Sequence, residues 1–497
     1  MGKNCVIFSY QTPFGNYIYD ANHNEILCVN SELFEYIQDY EKNELKKTED
    51  YSPEILQEFQ ELQEFGYLLP PVVEKIEHPY TSMIGELLER KVEQVILQVT
   101  QSCNLRCSYC IYSIDSNLGQ RSHSNKHMTF EIAKEALEFY KEHSTDSKVA
   151  AIGFYGGEPL LEFPLIKQVV EYAEDLFKGK KISFAITTNA TLLSEEYLDF
   201  LIKHKFIITI SIDGPQKIQD KNRKFADGKG TYNIVKENLH KFYVKYPEEI
   251  KKITVSMVVD TDSDYKDIVD LFAIPELKDV GLTYTPVEVD GKIQTLSEEY
   301  IENYAYDLFR GYIEYFDDED EKKYPSKLVE QDLHLVNSTV TKFKKNELGI
   351  VSAPSGPCLP GKTRLFVNCL GEIYPCERVN ENDRMKIGTL KTGFDYTNIS
   401  EILNIGKLTE SKCKDCWAFQ MCDMCAKRLE KEGTFSKEKK LIACQNAKRS
   451  AFTKIRVLVL DYEVRRHKKK MKQLANKNNS YLWENEHEAK LMYKSFY

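Results

Sequence analysis

Three thiols stand within eight residues, Cys103-Asn104-Leu105-Arg106-Cys107-Ser108-Tyr109-Cys110, directly after the strand-like run Gln94-Val95-Ile96-Leu97-Gln98-Val99. On a loop leaving a strand, this spacing lets three thiolates converge on one soft metal centre. Soft sulfur ligands select zinc, copper(I) or iron–sulfur clusters. A structural zinc site asks for four ligands in paired Cys-x-x-Cys units, and no fourth Cys or His lies close in the sequence. A cubane cluster held by three thiolates leaves one iron open to a small molecule.

A second cysteine territory holds eight of the thirteen cysteines, between 358 and 444. Cys358, Cys369 and Cys376 come first, then Cys413-x-x-Cys416, Cys422-x-x-Cys425 and Cys444. Eight thiols equal two full four-ligand clusters. Two Cys-x-x-Cys pairs also suit a single zinc site, so spacing alone leaves both open. Cys369 alternates with Leu365 and Val367 on one face of a strand over 364–370, which reads as a buried thiol before it reads as a ligand.

The elements that must position these thiols alternate regularly. Strands are expected at 94–100, 149–155, 182–188, 206–212, 253–259 and 281–287, with amphipathic helices at 129–143, 162–178, 194–204, 231–245 and 265–273. Six βα units in succession predict a parallel sheet curling into a barrel or partial barrel. Chemistry in such a fold sits at the C-terminal strand ends, where the three-cysteine loop also lies. The second strand ends in Gly156-Gly157-Glu158-Pro159, two side-chain-free residues followed by a carboxylate ready for a cation. Further strand ends carry Thr187-Thr188-Asn189-Ala190-Thr191 and Ser211-Ile212-Asp213-Gly214-Pro215, and Arg223 is a candidate bidentate partner for a carboxylate.

Length and composition bound the rest. At 497 residues the chain has room for about three domains. With 42% hydrophobic and 29% charged residues it reads as soluble and globular. The net charge of −10 resides in residues 1–80, which carry 15 Asp/Glu against 5 Lys, while the remainder balances at 62 of each sign. That asymmetry argues against nucleic acid as a ligand and marks an acidic N-terminal module. Within it, 14–20 and 26–29 read as a β-hairpin, with helices over 32–40 and from the Ser52-Pro53 start. Cysteine usage without a secretion signal, and no apolar run near ~20 residues, predict a cytoplasmic protein with no membrane partner. A helix is expected over 294–323, ending in a solvated charge run at 317–323, and a helical tail with a basic face at 465–470 follows the last cysteine.

The first cysteine motif, with the aromatic Tyr109 before its last thiol, resembles that of the radical S-adenosylmethionine (SAM) enzymes. The resemblance implies that Cys103, Cys107 and Cys110 hold a 4Fe–4S cluster whose open iron binds SAM and cleaves it reductively to a deoxyadenosyl radical. It also implies a six-unit partial barrel. Gly156, Gly157 and Glu158 resemble the family motif that holds the amino group of SAM. By the same carry-over Asn189, Ser211, Asp213 and Arg223 line the SAM pocket, and Gln219-Asp220-Lys221 departs from the His-Asp that relatives often show. The later cysteines, with Gly371 and Cys376 in a Gly-x-x-x-x-Cys pattern, resemble the SPASM extension, which implies two auxiliary 4Fe–4S clusters. Cys413, Cys416, Cys422 and Cys444 would hold the distal one; Cys358, Cys376 and Cys425 would hold the nearer. Cys422 and Cys425 depart by two intervening residues where three are commoner. Glu377 occupies the position of an acidic base in sulfatase maturases.

The N-terminal module resembles the winged-helix-like recognition element of peptide-modifying enzymes, which implies a leader peptide added as a strand. The implied domains are 1–80 for leader recognition, 90–325 for the barrel, 326–357 as a bridge, 358–446 for SPASM and 447–497 as a tail. Sequences around Cys358 and Tyr374-Pro375-Cys376-Glu377-Arg378 look most like thioether-forming maturases. The expected activity is thioether crosslinking of a ribosomally made, Cys-containing precursor, with an electron donor as second partner. The alternatives are formylglycine formation in a sulfatase, or a non-catalytic iron–sulfur electron carrier.

Overall fold

The computed structural model describes residues 5–42, 51–110, 123–260, 263–289, 292–293, 295–317 and 322–475. Three antiparallel strands open the chain, β1 (Ile7–Thr12), β2 (Gly15–Asp20) and β3 (Glu25–Val29), paired in that order. The expected hairpin is β2–β3; β1 was not foreseen. Ile18 faces helices α1 (Ser31–Lys42) and α2 (Pro53–Glu64), packing with Ile7, Leu33 and Phe59. Tyr17 and Tyr19 face the other way, onto Ala418, Met421, Ile455 and Val459. Alternation along one strand thus binds the module both to its own helices and to the far end of the chain. Ser52 caps α2 through the Ile55 amide, with Pro53 at the first helical position.

After β4 (Lys75–Ile76) and α3 (Ile84–Arg90) comes the repeating part. It runs β5 (Gln94–Thr100), α4 (Phe130–His143), β6 (Val149–Gly156), α5 (Phe163–Leu176), β7 (Lys181–Thr188), α6 (Glu195–Lys203) and β8 (Ile207–Ser211). It continues through α7 (Gln216–Asn222), α8 (Tyr232–Lys245), α9 (Pro247–Ile250), β9 (Thr254–Val259), α10 (Tyr265–Leu271) and β10 (Gly281–Pro286). All six strands are parallel and adjacent in chain order, each within two residues of its expected range. Right-handed crossovers between sequential neighbours place the helices on one face. Val95, Leu97, Phe154, Ile186, Ile208 and Val255 fill that face and are buried. The opposite face carries Gln98 beside Tyr155, Thr187 beside Thr209, and Ser211 beside Ser256. One face builds the core and the other is a polar lining.

The sheet does not stop at the domain boundary expected near 353–357. Following β11 (Glu288–Val289), β12 (Lys292–Ile293), α11 (Glu298–Phe316), α12 (Lys327–Lys342) and β13 (Val351–Ser352), strand β14 (Leu365–Val367) pairs in parallel with β5. Then β15 (Glu372–Tyr374), β16 (Gly388–Thr389) and β17 (Gly393–Phe394) extend one sheet to ten strands. β13 likewise pairs with β4, tying the linker of the N-terminal module to the cysteine-rich region. The chain closes with α13 (Tyr396–Leu403), α14 (Glu410–Lys414), β18 (Glu430–Lys431), β19 (Thr434–Phe435) and α15 (Lys437–Ala475), a helix that crosses the expected boundary at 446. Most of the expected charge run, at 318–321, and the tail at 476–497 lie outside the described residues. The basic face is partly spent on the fold: Arg465 pairs with Asp461, and Lys468 donates to the Phe316 carbonyl. No described helix is long and apolar enough to cross a membrane.

Candidate active site at the strand ends

The three-cysteine loop is fixed by backbone on both sides. Gly157 and Glu158 donate their amides to the carbonyls of Thr100 and Ser102, each at 2.9 Å. A Cβ on Gly157 would sit 2.1 Å from the Ser102 oxygen and 3.1 Å from Cys103 Cβ, so only glycine admits the loop there. On the other side, Arg106 donates to the Lys224 carbonyl at 2.8 Å and Ser108 to the Asn222 carbonyl at 3.2 Å, while Leu105 bridges Phe225. A closed side-chain ring completes the frame: Asn104 donates to the Thr191 hydroxyl (2.8 Å), Thr191 to Asn189 (2.6 Å), and Asn189 back to Asn104 (2.9 Å). The loop is therefore locked to the end of β7 and to the segment carrying Arg223. The Leu105 amide lies 3.3 Å from Cys103 Sγ, a donor suited to a thiolate.

Tyr109, Asp213 and Arg223 meet beside these thiols. The Tyr109 hydroxyl donates to Asp213, accepts from Arg223 Nη1 at 2.9 Å, and Nη1 lies 3.8 Å from Asp213 Oδ1. Burial raises the Asp213 carboxyl, opposed by Arg223 and by hydrogen bonds from Tyr109 and the Val258 amide. Burial works against the Arg223 charge too, but Tyr109 and Asp213 outweigh it and hold the guanidinium protonated. Among the described residues Arg223 Nε is buried and has no acceptor. A buried donor left open in this way asks for an anionic ligand.

Sequence reasoning missed the supports of this group. Gln219 accepts the Asp213 amide at 3.0 Å and donates to the Thr231 hydroxyl, which in turn donates to the Arg223 carbonyl at 2.6 Å. Asp220 accepts the Thr231 and Tyr232 amides at 2.6 and 2.8 Å. Gln219 and Asp220, from the departure at 219–221, therefore orient two members of the pocket. Glu158 is fully enclosed rather than poised for a cation. It accepts from the Leu160 amide (3.1 Å), the Thr188 hydroxyl (2.7 Å) and the Asn189 amide (2.8 Å), joining β6 to β7. Ser211 lies at the end of β8, on the polar face beside Ser256.

The second territory divides into two sets. After the larger effect of burial, Cys358 and Cys376 are raised by Cys425, and Cys376 also by Cys358. Cys416 is raised by Cys413 and Cys444, Cys422 by Cys416 and Cys413, and Cys444 by Cys413. Cys369 joins neither. Its sulfhydryl donates to the Gln98 carbonyl at 3.1 Å and its amide to Gln98 Oε1, inside the sheet junction. Glu377 is ion-paired with Arg364, with Arg378 Nε at 3.7 Å. Among the described residues no three Cys, His, Asp or Glu side chains enclose a single metal ion. The donor chemistry of the first set, its glycine cradle and the open Arg223 donor fit a sulfur-ligated cluster carrying an anionic small ligand. Cys103, Cys107 and Cys110 are the residues that would hold it.

A family model places the decisive match on this region: residues 97–272 align with the radical SAM superfamily. These residues are a radical SAM domain. The chain that carries the domain is an enzyme, which sets aside the electron-carrier reading. An uncharacterized protein of Methanocaldococcus jannaschii is 38% identical over 138 residues, 28% of this chain and 44% of the relative. The cysteine-type anaerobic sulfatase-maturating enzyme of Clostridium perfringens is 25% identical over 344 residues, 66% of this chain and 86% of that enzyme. In fold, native anSMEcpe with bound AdoMet and Kp18Cys peptide superposes with a TM-score of 0.52 at 20% identity, covering 74% of this chain and 99% of that one.

Proposed function

We propose that the protein is a peptide maturase that uses its radical SAM domain to install thioether crosslinks, cysteine sulfur to carbon, in a ribosomally made precursor. The observation that carries the reading is the nearer thiol set. Cys358, Cys376 and Cys425 are three, and the fourth candidate, Cys369, spends its sulfhydryl on Gln98. A 4Fe–4S cluster held by three protein thiolates keeps a place for a thiolate from the peptide. The SAM-bearing cluster, when bound, supplies hydrogen abstraction from unactivated carbon. The chain's own residues do the positioning. Arg223, held by Tyr109 and Asp213, would take the SAM carboxylate, and Gly156 and Gly157 seat the cysteine loop beside it. Asn189 and Ser211 offer short polar groups, and Glu158 braces the strand ends. The polar lining through Thr187 and Ser256 suits an extended peptide backbone. β3 keeps one edge without a partner strand among the described residues, which supports leader binding by strand addition.

The test is reconstituted enzyme with SAM, dithionite and a Cys-rich precursor. The expected outcome is a mass loss of about two hydrogens per crosslink, a bond formed at the expense of one S–H and one C–H. Unchanged peptide mass with abundant deoxyadenosine overturns the crosslinking reading. The Clostridium perfringens match favours a second reading, formylglycine formation in a sulfatase. A sulfatase-type peptide in the same assay would then acquire an aldehyde.

A further inference from the structure

Lys440 lies in the first turn of α15 with only 2% of its surface exposed. Its ammonium donates to the carbonyls of Ile405 at 2.6 Å and Gly406 at 3.2 Å, and stands 3.6 Å from Cys413 Sγ. No carboxylate is among its partners in the described residues. Burying a charge against neutral groups alone costs several kcal/mol, so a balancing anion is required nearby. The available candidate is sulfur. Cys444 follows Lys440 by one helical turn, on the same face of α15. Cys413 belongs to the same set and also has the Thr409 hydroxyl at 3.3 Å. Neutral thiols would leave the ammonium uncompensated; an anionic, thiolate-ligated centre would not.

We propose that Lys440 is a positioning residue for the centre held by Cys413, Cys416, Cys422 and Cys444, where its buried charge and N–H···S contact stabilise the electron-richer state and raise the reduction potential. The proposal rests on the reading that this set holds an auxiliary cluster. Hydrogen bonds to ligand sulfur and local net charge are among the protein's levers on cluster potential.

The experiment uses the full chain with Cys103→Ala, Cys107→Ala and Cys110→Ala, reconstituted with iron and sulfide, so that only the auxiliary sets remain. Its redox titration is followed by electron paramagnetic resonance. Lys440→Met and Lys440→Gln, in the same background, should each shift one of the two reduction waves to more negative potential. At the parent's midpoint the oxidised-to-reduced ratio should rise at least about tenfold, 59 mV for one electron. The second wave should stay in place, and Lys440→Arg should restore the first. Gln retains donors for the two carbonyls, so it keeps the test open if Met prevents folding. An unmoved wave in a neutral variant with full iron content overturns the proposal. A parent without iron or labile sulfide overturns the auxiliary-cluster reading itself.

Discussion

The two thiol territories of this molecule differ in the charges that surround them. Around the loop of Cys103, Cys107 and Cys110 the nearby charges are of both signs. Burial raises Cys103 and Cys107; Glu158 adds to it at Cys103, while at Cys107 the pull of Arg223 exceeds the push of Asp213. In the distal set burial also raises Cys444 and Cys416, but Lys440, Lys448 and Lys412 oppose it at Cys444 and Lys448 at Cys416, while Asp423 adds to it at Cys422. Both territories offer the same ligand atom, so any difference in their appetite for electrons comes from the protein around them. A negative surround opposes adding an electron and a positive one favours it.

Four changes test that contrast. The largest effect is expected from Cys103→Ser combined with Cys107→Ser and Cys110→Ser. Deoxyadenosine formation should fall by more than about 10³-fold while iron analysis keeps about two thirds of the metal, the share of the two proposed auxiliary clusters. Persistent deoxyadenosine would end the assignment. Arg223→Met comes next. It leaves Asp213 buried without its cation, and denaturant unfolding should register a loss of about 3–5 kcal/mol. SAM affinity by equilibrium dialysis should drop with it, and unaltered binding would contradict the role given to its open Nε. Gly157→Ala is third. The added methyl meets the Ser102 carbonyl, and crowding of this kind costs roughly 1–3 kcal/mol. Loop displacement should weaken SAM binding beyond that stability loss. The smallest effect belongs to Cys369→Ala. Iron content should stay the same, with stability falling by about 1 kcal/mol for the lost bond to Gln98. Loss of one cluster's iron would instead make Cys369 a ligand.

Much of this was legible in the chain. The six strands and their intervening helices carry their own periodicity, so each could be placed from neighbours a few residues away. The thiol loop and Gly156-Gly157 were visible because their residue types have few other uses at such spacing. What escaped notice depends on partners distant in sequence. β1 was missed because Phe8 and Tyr10 find their ring contacts in Trp417 and Phe452, with Phe8 stacked on Trp417 at a centroid distance of 4.2 Å. Gln219, Asp220 and Thr231 look like ordinary surface polar residues until the fold turns them toward Asp213 and Arg223. Cys369 was correctly read as a buried thiol, yet it lies in the turn after β14 and not on a strand running to 370, and its acceptor on β5 could not be inferred from that segment.

The pairing of β14 with β5 also has a consequence in time. Leu97 and Val367 are register partners, and a ribosome adding about 5–20 residues per second needs on the order of 15–50 s to make the stretch between them. Throughout that interval the first strand of the radical domain presents an unpaired edge, the kind of surface that recruits foreign strands. Helices α4 to α10 can dock as they emerge, whereas among β5 to β9 the strand that bears the thiol loop is the last to gain both its neighbours. The nascent chain is most vulnerable to misassembly at the place its chemistry depends on, and a cell making it gains most from a chaperone that shields β5 until the cysteine-rich region arrives.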